Sequence, residues 1–167
     1  QESAGVAVSD GRTIRMHRDM GLVTQVFKEE VLGGLTGHIG IGHTRYSTTG
    51  SSIIRNVQPM RCDCDLGTVA LAHNGDLINA SSIRDELIAD GVDFETTNDS
   101  EVIIKLIASS RACDVEDAVA YAMSKVRGAY AVLVMTQDKL IGFRDQHGIR
   151  PLCIGRLNGS HYCLASE

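Results

Sequence analysis

The apolar residues of this sequence follow two different periods, and the order of those periods limits the folds that the chain can adopt. Before residue 74 and after residue 128, short runs rich in β-branched residues are bounded by Gly, Asp and Asn, as is typical of strands. Between them, apolar residues recur at helical spacing over 115–126, behind Asp114 as a preferred N-cap residue. Two more helices are predicted, from Asn79 to Gly91 and after Asn98. Strands, then helices, then strands predict an α+β fold with helices layered on mostly antiparallel sheet.

The same patterns predict element positions and buried faces. Strands are predicted at 4–8, 13–17, 39–44, 69–73, 129–135, 140–144, 152–155 and 162–165. The inward helix faces are predicted to carry Ile83, Leu87 and Ile88, then Val102, Ile103, Leu106 and Ile107, and last Val115, Ala118, Val119, Ala122, Met123 and Val126.

Composition narrows the classes of partner. A chain of 167 residues fits one domain, here 1–167, and its formal charge of −5 with scattered basic residues argues against nucleic acid or an anionic membrane as partner. No apolar run approaches the roughly 20 residues that span a bilayer, and no signal segment opens the chain, so we expect a soluble, cytoplasmic protein. The five cysteines form no CxxC pair, which predicts free thiols and no metal site.

A polar run follows the third predicted strand, over residues 40–50 (GIGHTRYSTTG). Its glycines do not fit a dinucleotide-binding loop, because Arg45 stands where a third glycine is needed. One interpretation is a strand ending in a turn with Arg45 on the surface. The other uses Arg45 as a planar fork for a carboxylate or phosphate, with hydroxyl groups such as that of Thr48 as secondary donors.

Two further segments combine turn or cap chemistry with polar side chains. Asn74-Gly75 is a strong hairpin signal, but a helical pattern follows it, so we predict a strand-to-helix junction at which a carboxamide and a backbone N–H can converge on an oxyanion. Asn98 with Glu101 fits a capping box, and the alternative interpretation gives the Asp99 carboxylate to a substrate ammonium.

Taken in order, these segments resemble the glutaminase domain of the amidophosphoribosyltransferase family. The similarity runs through residues 1–5 (QESAG), 42–50 (GHTRYSTTG), 73–77 (HNGDL), 98–101 (NDSE) and 144–152 (RDQHGIRPL). Sibling glutaminases share the Arg and Asn-Gly elements, whereas residues 1–5, the Tyr-Ser-Thr-Thr run and the Gly-Ile-Arg-Pro turn look more like the amidophosphoribosyltransferase family, which commits phosphoribosyl pyrophosphate to purine synthesis. His147 stands where the family more often has another polar residue.

The resemblance implies a fold and a set of roles. The fold is the N-terminal-nucleophile hydrolase fold, a four-layer αββα sandwich with mostly antiparallel sheets, here expected to be truncated at both ends. L-Glutamine is the implied substrate, with Arg45 on its α-carboxylate, Asp99 on its α-ammonium and Thr48 as a further contact. The Asn74 side chain and the Gly75 N–H would stabilise the oxyanion.

The family chemistry also implies parts that these 167 residues do not contain. It uses an N-terminal cysteine whose α-amine acts as base, and none of the five cysteines has the matching context, so we expect residues 1–167 alone to release no ammonia. No cofactor is expected in this segment. Magnesium, and the iron–sulfur cluster that some members carry, are expected only in the C-terminal part, with the phosphoribosyltransferase domain. The intact protein is expected to be a homo-oligomer.

Two alternatives stay open at this point. The chain can be the glutaminase domain of a sibling amidotransferase that forms glucosamine phosphate or asparagine, or that belongs to glutamate synthase. It can also be a non-catalytic homologue that binds glutamine or a partner on the same scaffold.

Overall fold

The computed structural model describes residues 2–45 and 53–166. Its strands are β1 (Ser3–Ser9), β2 (Ile14–Met20), β3 (Ile39–Arg45), β4 (Met60–Cys64), β5 (Gly67–Leu77), β6 (Gly128–Met135), β7 (Leu140–Arg144), β8 (Cys153–Leu157) and β9 (His161–Ala165). Its α-helices are α1 (Val23–Val26), α2 (Glu29–Gly34), α3 (Ala80–Ala89), α4 (Asp99–Ala108) and α5 (Val115–Lys125).

Two antiparallel sheets form the centre of the fold. The first has the order β2-β1-β3 and the second β4-β5-β6-β7, while β8 and β9 pair as a separate hairpin. Alternate residues of β1 and β3, among them Ala7 and Ile41, bury one face of the first sheet against Ala70 and Ala72 of β5. The two sheets therefore stack face to face.

Helices cover the outer faces of both sheets. Val69 and Leu71 of β5 point away from the first sheet into the main core, where α3, α4 and α5 cover them. On the other side α1 contacts β1 and β2, and the Phe27 ring packs edge-on against His17 at 5.7 Å. The order of layers is helix, sheet, sheet, helix, which confirms the expected αββα sandwich.

Most helix predictions are confirmed, with two errors in burial. Asp114 caps α5 by accepting a hydrogen bond from the Asp117 N–H at 2.8 Å, as its position predicts. However, Ile88 and Met123, predicted to face inward, are 52% and 39% exposed. Both lie at the border of an apolar stripe, where a small rotation of the helix decides between core and solvent.

The strand that carries Asn74 and Gly75 is longer than predicted. β5 continues through Leu77 and stays paired with β6, with Asn74 opposite Ala131 and Gly75 opposite Tyr130. The Asn-Gly pair is thus no hairpin turn, and it lies inside the strand instead of at a strand-to-helix junction. α3 begins only at Ala80.

Candidate active site

Four of the five predicted site residues line one cavity of about 930 Å³. Arg45, Asn74, Gly75 and Asp99 come from three different elements, β3, β5 and α4, and the cavity lies at the end of β3, which is an edge strand of the first sheet. The fifth residue, Thr48, lies outside the described residues. Apolar side chains, including Phe27 of the segment after α1, line another wall.

Arg45 is the last residue of β3 and is only 9% exposed. Its main chain is held by the neighbouring strand, since Ser3 is its register partner and its carbonyl accepts a hydrogen bond from the Glu2 N–H at 2.8 Å. Strand alternation places Arg45 on the same face as Ile41, the face that meets the second sheet. A guanidinium at this position can present two parallel N–H donors to a carboxylate in the cavity.

His43 lies two residues before Arg45 and also lines the cavity. Burial lowers the pKa of its imidazole to about 4, and the positive charge of Arg45 acts in the same direction. A neutral imidazole beside Arg45 leaves the guanidinium as the cationic group on this strand.

The main chain at Gly75 is crowded on the side where other residues carry a side chain. A Cβ there would stand 2.2 Å from the Ala129 carbonyl oxygen, 2.7 Å from the Tyr130 Cα and 2.9 Å from the His73 Nε2. The φ of Gly75 is also +154°, which favours glycine. The preceding Asn74 points to the opposite face of the strand, where its side chain is exposed at the cavity.

Asp99 is the first residue of α4. Its Oδ2 accepts a hydrogen bond from the Leu77 N–H at 3.0 Å, and its Oδ1 lies 3.5 Å from the His73 Nδ1. Burial acts to raise the pKa of the Asp99 carboxyl, but these His73 and Leu77 contacts outweigh it and hold the pKa below its ordinary value. Asp99 is therefore an ionised acceptor at the cavity, and the N-terminal position on α4 favours that charge.

The loop before α4 is held from both sides. The Arg84 guanidinium of α3 donates to the carbonyl oxygens of Thr96 (2.9 Å) and Asn98 (3.0 Å). The buried Glu101 carboxylate accepts from the N–H groups of Glu95 and Thr96, each at 2.8 Å. The positive guanidinium thus holds main-chain carbonyl oxygens of this loop, and the negative carboxylate holds its N–H groups. Together these bonds set the position of Asp99, the residue that follows the loop.

The predicted capping box is therefore wrong in one half. Asn98 caps α4 as expected, because its side chain accepts from the Ser100 N–H at 3.0 Å. Glu101, however, reaches back to Glu95 and Thr96, and the Asn98 N–H instead donates to the Thr96 hydroxyl at 3.1 Å. The sequence pattern identified Asn98 and Glu101 as capping residues, but it did not predict which N–H groups bind to Glu101.

A single carboxylate shapes the turn after β7. Asp145 is 4% exposed and accepts from the N–H groups of Tyr130 (3.3 Å), His147 (3.1 Å), Ile149 (3.0 Å) and Arg150 (3.1 Å). The bond from Ile149 contributes most to holding the pKa of Asp145 below its ordinary value, against the effect of burial. The turn brings Arg150 to the cavity, where it is one of the lining residues.

Sequence reasoning missed the buried His73 and the Arg84 clamp, by which we mean the two hydrogen bonds from Arg84 to the loop before α4. A histidine at the end of the apolar run 69–73 is a signal for His73, because a buried imidazole in such a strand needs polar partners. Arg84 carries no such signal, since it is one of several charged residues in α3.

Two absences apply to the described residues. Within 2–45 and 53–166, no three His, Cys, Asp or Glu side chains come together in a way that could hold a metal ion. None of the helices in these ranges has the length and apolarity required to cross a membrane.

Comparison with known proteins gives consistent matches. The family described as "Glutamine amidotransferase domain" matches residues 43–167. The amidophosphoribosyltransferases of Methanocaldococcus jannaschii and Synechococcus elongatus are 46% and 48% identical over all of this chain, which spans 36% and 35% of their length. The chain thus covers about a third of these relatives.

Solved structures match over 99% of the chain. The glutamine phosphoribosylpyrophosphate amidotransferase of B. subtilis, complexed with ADP and GMP, superposes with a TM-score of 0.92 at 39% identity, and this chain covers 36% of it. A structure described as the allosteric regulatory enzyme of purine biosynthesis superposes with a TM-score of 0.94 at 40% identity, again with 36% covered. This chain belongs to the family of glutamine amidotransferase domains.

Proposed function

We propose that this chain is the glutamine-hydrolysing part of an amidophosphoribosyltransferase. In the intact protein it supplies ammonia, with which a phosphoribosyltransferase domain converts phosphoribosyl pyrophosphate to phosphoribosylamine at the start of purine synthesis. The observation that carries the proposal is the meeting of Arg45, Asn74, Gly75 and Asp99 at one cavity. A cation, an anion and neutral donors around one space match the groups of a free amino acid with a reactive side-chain amide.

Each residue has a role that follows from its chemistry. Arg45 pairs with the α-carboxylate of glutamine through two parallel N–H bonds, and Asp99 accepts from the α-ammonium. The Asn74 carboxamide and the Gly75 N–H donate to the oxygen of the side-chain amide as it gains negative charge. Thr48 is proposed as an additional contact.

The nucleophile is assigned to an N-terminal cysteine of the full-length protein. No cysteine is among the described residues that line the cavity, and all five cysteines of this chain lie elsewhere. The thiolate attacks the amide carbon, the α-amine takes and returns the proton, and ammonia leaves with formation of a thioester. Water then cleaves the thioester to glutamate. Homo-oligomerisation and a cytoplasmic location remain predictions.

The test is steady-state glutamine hydrolysis by the full-length protein, followed as ammonia and glutamate. Arg45→Lys keeps the charge but loses the two-pronged geometry, so we expect KM for glutamine to rise roughly 10- to 100-fold. Asn74→Ala should lower kcat by roughly 10²- to 10³-fold. Arg61→Lys, an exposed arginine paired with Asp63 away from the cavity, is the matched control and should change neither constant.

Three outcomes would contradict the proposal in different ways. An unchanged KM in Arg45→Lys removes the assigned role of Arg45. Glutamine binding without ammonia release supports the non-catalytic alternative. Ammonia release without glutamine-dependent pyrophosphate formation from phosphoribosyl pyrophosphate supports a sibling amidotransferase.

A further inference from the structure

His73 is a buried imidazole that contacts two of the proposed glutamine-binding elements. Its side chain is 1% exposed and lies on β5, on the face covered by α4. Its main chain is fixed by Gln58, which accepts from the His73 N–H at 2.6 Å and donates to the His73 carbonyl at 3.0 Å. Both main-chain polar groups of His73 are therefore fixed by the side chain of one residue.

The Nδ1 atom of His73 faces α4. It lies 3.1 Å from the Ser100 hydroxyl and 3.5 Å from the Asp99 Oδ1. An ionised carboxylate is only an acceptor, so a lone pair on Nδ1 would face a negative oxygen, whereas an N–H on Nδ1 is attracted to it. The surroundings therefore select the tautomer with the proton on Nδ1.

The Nε2 atom of His73 faces Gly75. It is buried and has no hydrogen-bond partner within the described part of the chain. It stands 2.9 Å from the point that a Cβ on residue 75 would occupy. Because a proton on Nε2 would be a buried donor without an acceptor, this arrangement also favours an unprotonated Nε2. The edge of the ring thus fills the space beneath Gly75.

We propose that His73 is a positioning residue that fixes Asp99 and Gly75 relative to one another. This inference rests on the proposed function, in which Asp99 binds the α-ammonium and Gly75 the oxyanion. Through Nδ1–H the ring orients the Asp99 carboxylate, and through its Nε2 edge it supports the 74–75 peptide. One rigid ring therefore sets the distance between the groups that hold the two ends of glutamine.

Two substitutions of His73 test the contributions of its Nδ1 and Nε2 edges separately. His73→Asn places an amide near the Nδ1 position and removes the edge beneath Gly75. His73→Gln places an amide near the Nε2 position and leaves Asp99 without the donor. His161→Gln, at an exposed histidine of β9, is the matched control and should alter neither kcat nor KM.

The experiment compares glutamine with glutaramate, which is glutamine without its α-amino group, in the full-length protein. In His73→Gln, KM for glutamine should rise roughly tenfold, while kcat/KM for glutaramate changes less than about threefold, because glutaramate has no ammonium for Asp99. In His73→Asn, kcat should fall roughly tenfold or more for both substrates with a smaller change in KM for glutamine. Equal losses of kcat/KM for both substrates in both variants would indicate a structural role only and overturn the proposal.

A third variant avoids any change at His73, should its replacements fail to fold. In Ser100→Ala, the Nδ1–H keeps Asp99 as its acceptor, so KM for glutamine should stay within about threefold of wild type. A rise of tenfold or more, with glutaramate unaffected, would assign the Nδ1 contact to Ser100 and overturn the proposal. Failure of the proposed function is separate: there the wild-type protein itself would not hydrolyse glutamine, or Asp99→Asn would not raise its KM.

Discussion

Gly75 gives the sharpest test of the site, because the atoms that crowd it belong to main chain. In Gly75→Ala the new methyl group would stand 2.2 Å from the Ala129 carbonyl oxygen and 2.7 Å from the Tyr130 Cα. Neither atom can rotate away as a side chain would. β5 and β6 must therefore move apart, or the peptide at residue 75 must turn.

The free-energy cost of Gly75→Ala has two contributions. Overpacking a tightly packed position costs about 1–3 kcal/mol, and a non-glycine residue at φ +154° adds strain of about 1–3 kcal/mol. A total of about 2–6 kcal/mol corresponds to a roughly 30- to 20,000-fold increase in the opening equilibrium of the β5–β6 pair. Glutamine hydrolysis should fall as well, because the Gly75 N–H would leave its position.

Hydrogen exchange of the full-length protein, read by mass spectrometry in peptides covering 67–77 and 128–135, measures this opening. Gly40→Ala in β3 is the matched control, since the nearest atom to its Cβ would be the Ala7 carbonyl oxygen at 3.4 Å, ordinary contact or nearly so. The control should exchange like wild type or more slowly. Protection in Gly75→Ala equal to that in Gly40→Ala would refute the crowding argument and the requirement for glycine.

Two further predictions concern residues behind the site. Because the folded state lowers the pKa of His43 to about 4 from 6.5, its neutral ring favours the folded state above pH 6.5, and this contribution disappears as pH falls from 6.5 towards 4. The loss is at most about 3 kcal/mol, so in His43→Gln the urea midpoint should depend less on pH over this range than in wild type. Arg84→Met removes two bonds to the loop before Asp99, and we expect a loss of about 1.5–3 kcal/mol of stability together with a higher KM for glutamine.

Each of these two predictions would be contradicted by a specific result. For His43, parallel urea midpoints in wild type and variant between pH 6.5 and 4 would show that its protonation is not linked to folding. For Arg84, the exposed Arg111→Met serves as control and should change neither stability nor KM. Loss of stability in Arg84→Met with an unchanged KM would limit the clamp to a structural role.

Periodicity predicted most of this fold because most elements have one strongly apolar face. α4 buries Val102, Ile103, Leu106 and Ile107 as expected. The short helices α1 and α2 escaped prediction, since four and six residues give too few repeats to define a period. β4 also escaped, because its sequence MRCDC alternates charged residues with cysteines instead of β-branched residues.

How much of the candidate site the sequence could predict differs from residue to residue. Arg45, Asn74, Gly75 and Asp99 stand in short motifs, and motif order alone suggested that they belong together. Their meeting point depends on sheet stacking and on the contact between β5 and α4, which no local pattern contains. His73 was harder to assign, since its importance comes from Asp99 on one side and Gly75 on the other, and only the folded chain brings Asp99 to it.

The turn at Asp145 has a consequence for how this surface can change over time. Its shape is encoded in main-chain bonds to one carboxylate and in Gly148, whose φ is +63°. The side chains of Gln146, His147 and Ile149 point outward and take no part in those bonds to the carboxylate, so they are interchangeable as far as the loop geometry is concerned. Sequence drift can therefore remodel the outer surface here without changing the geometry of the loop. Arg150 meanwhile keeps its place in the lining of the cavity, because its N–H donates to Asp145.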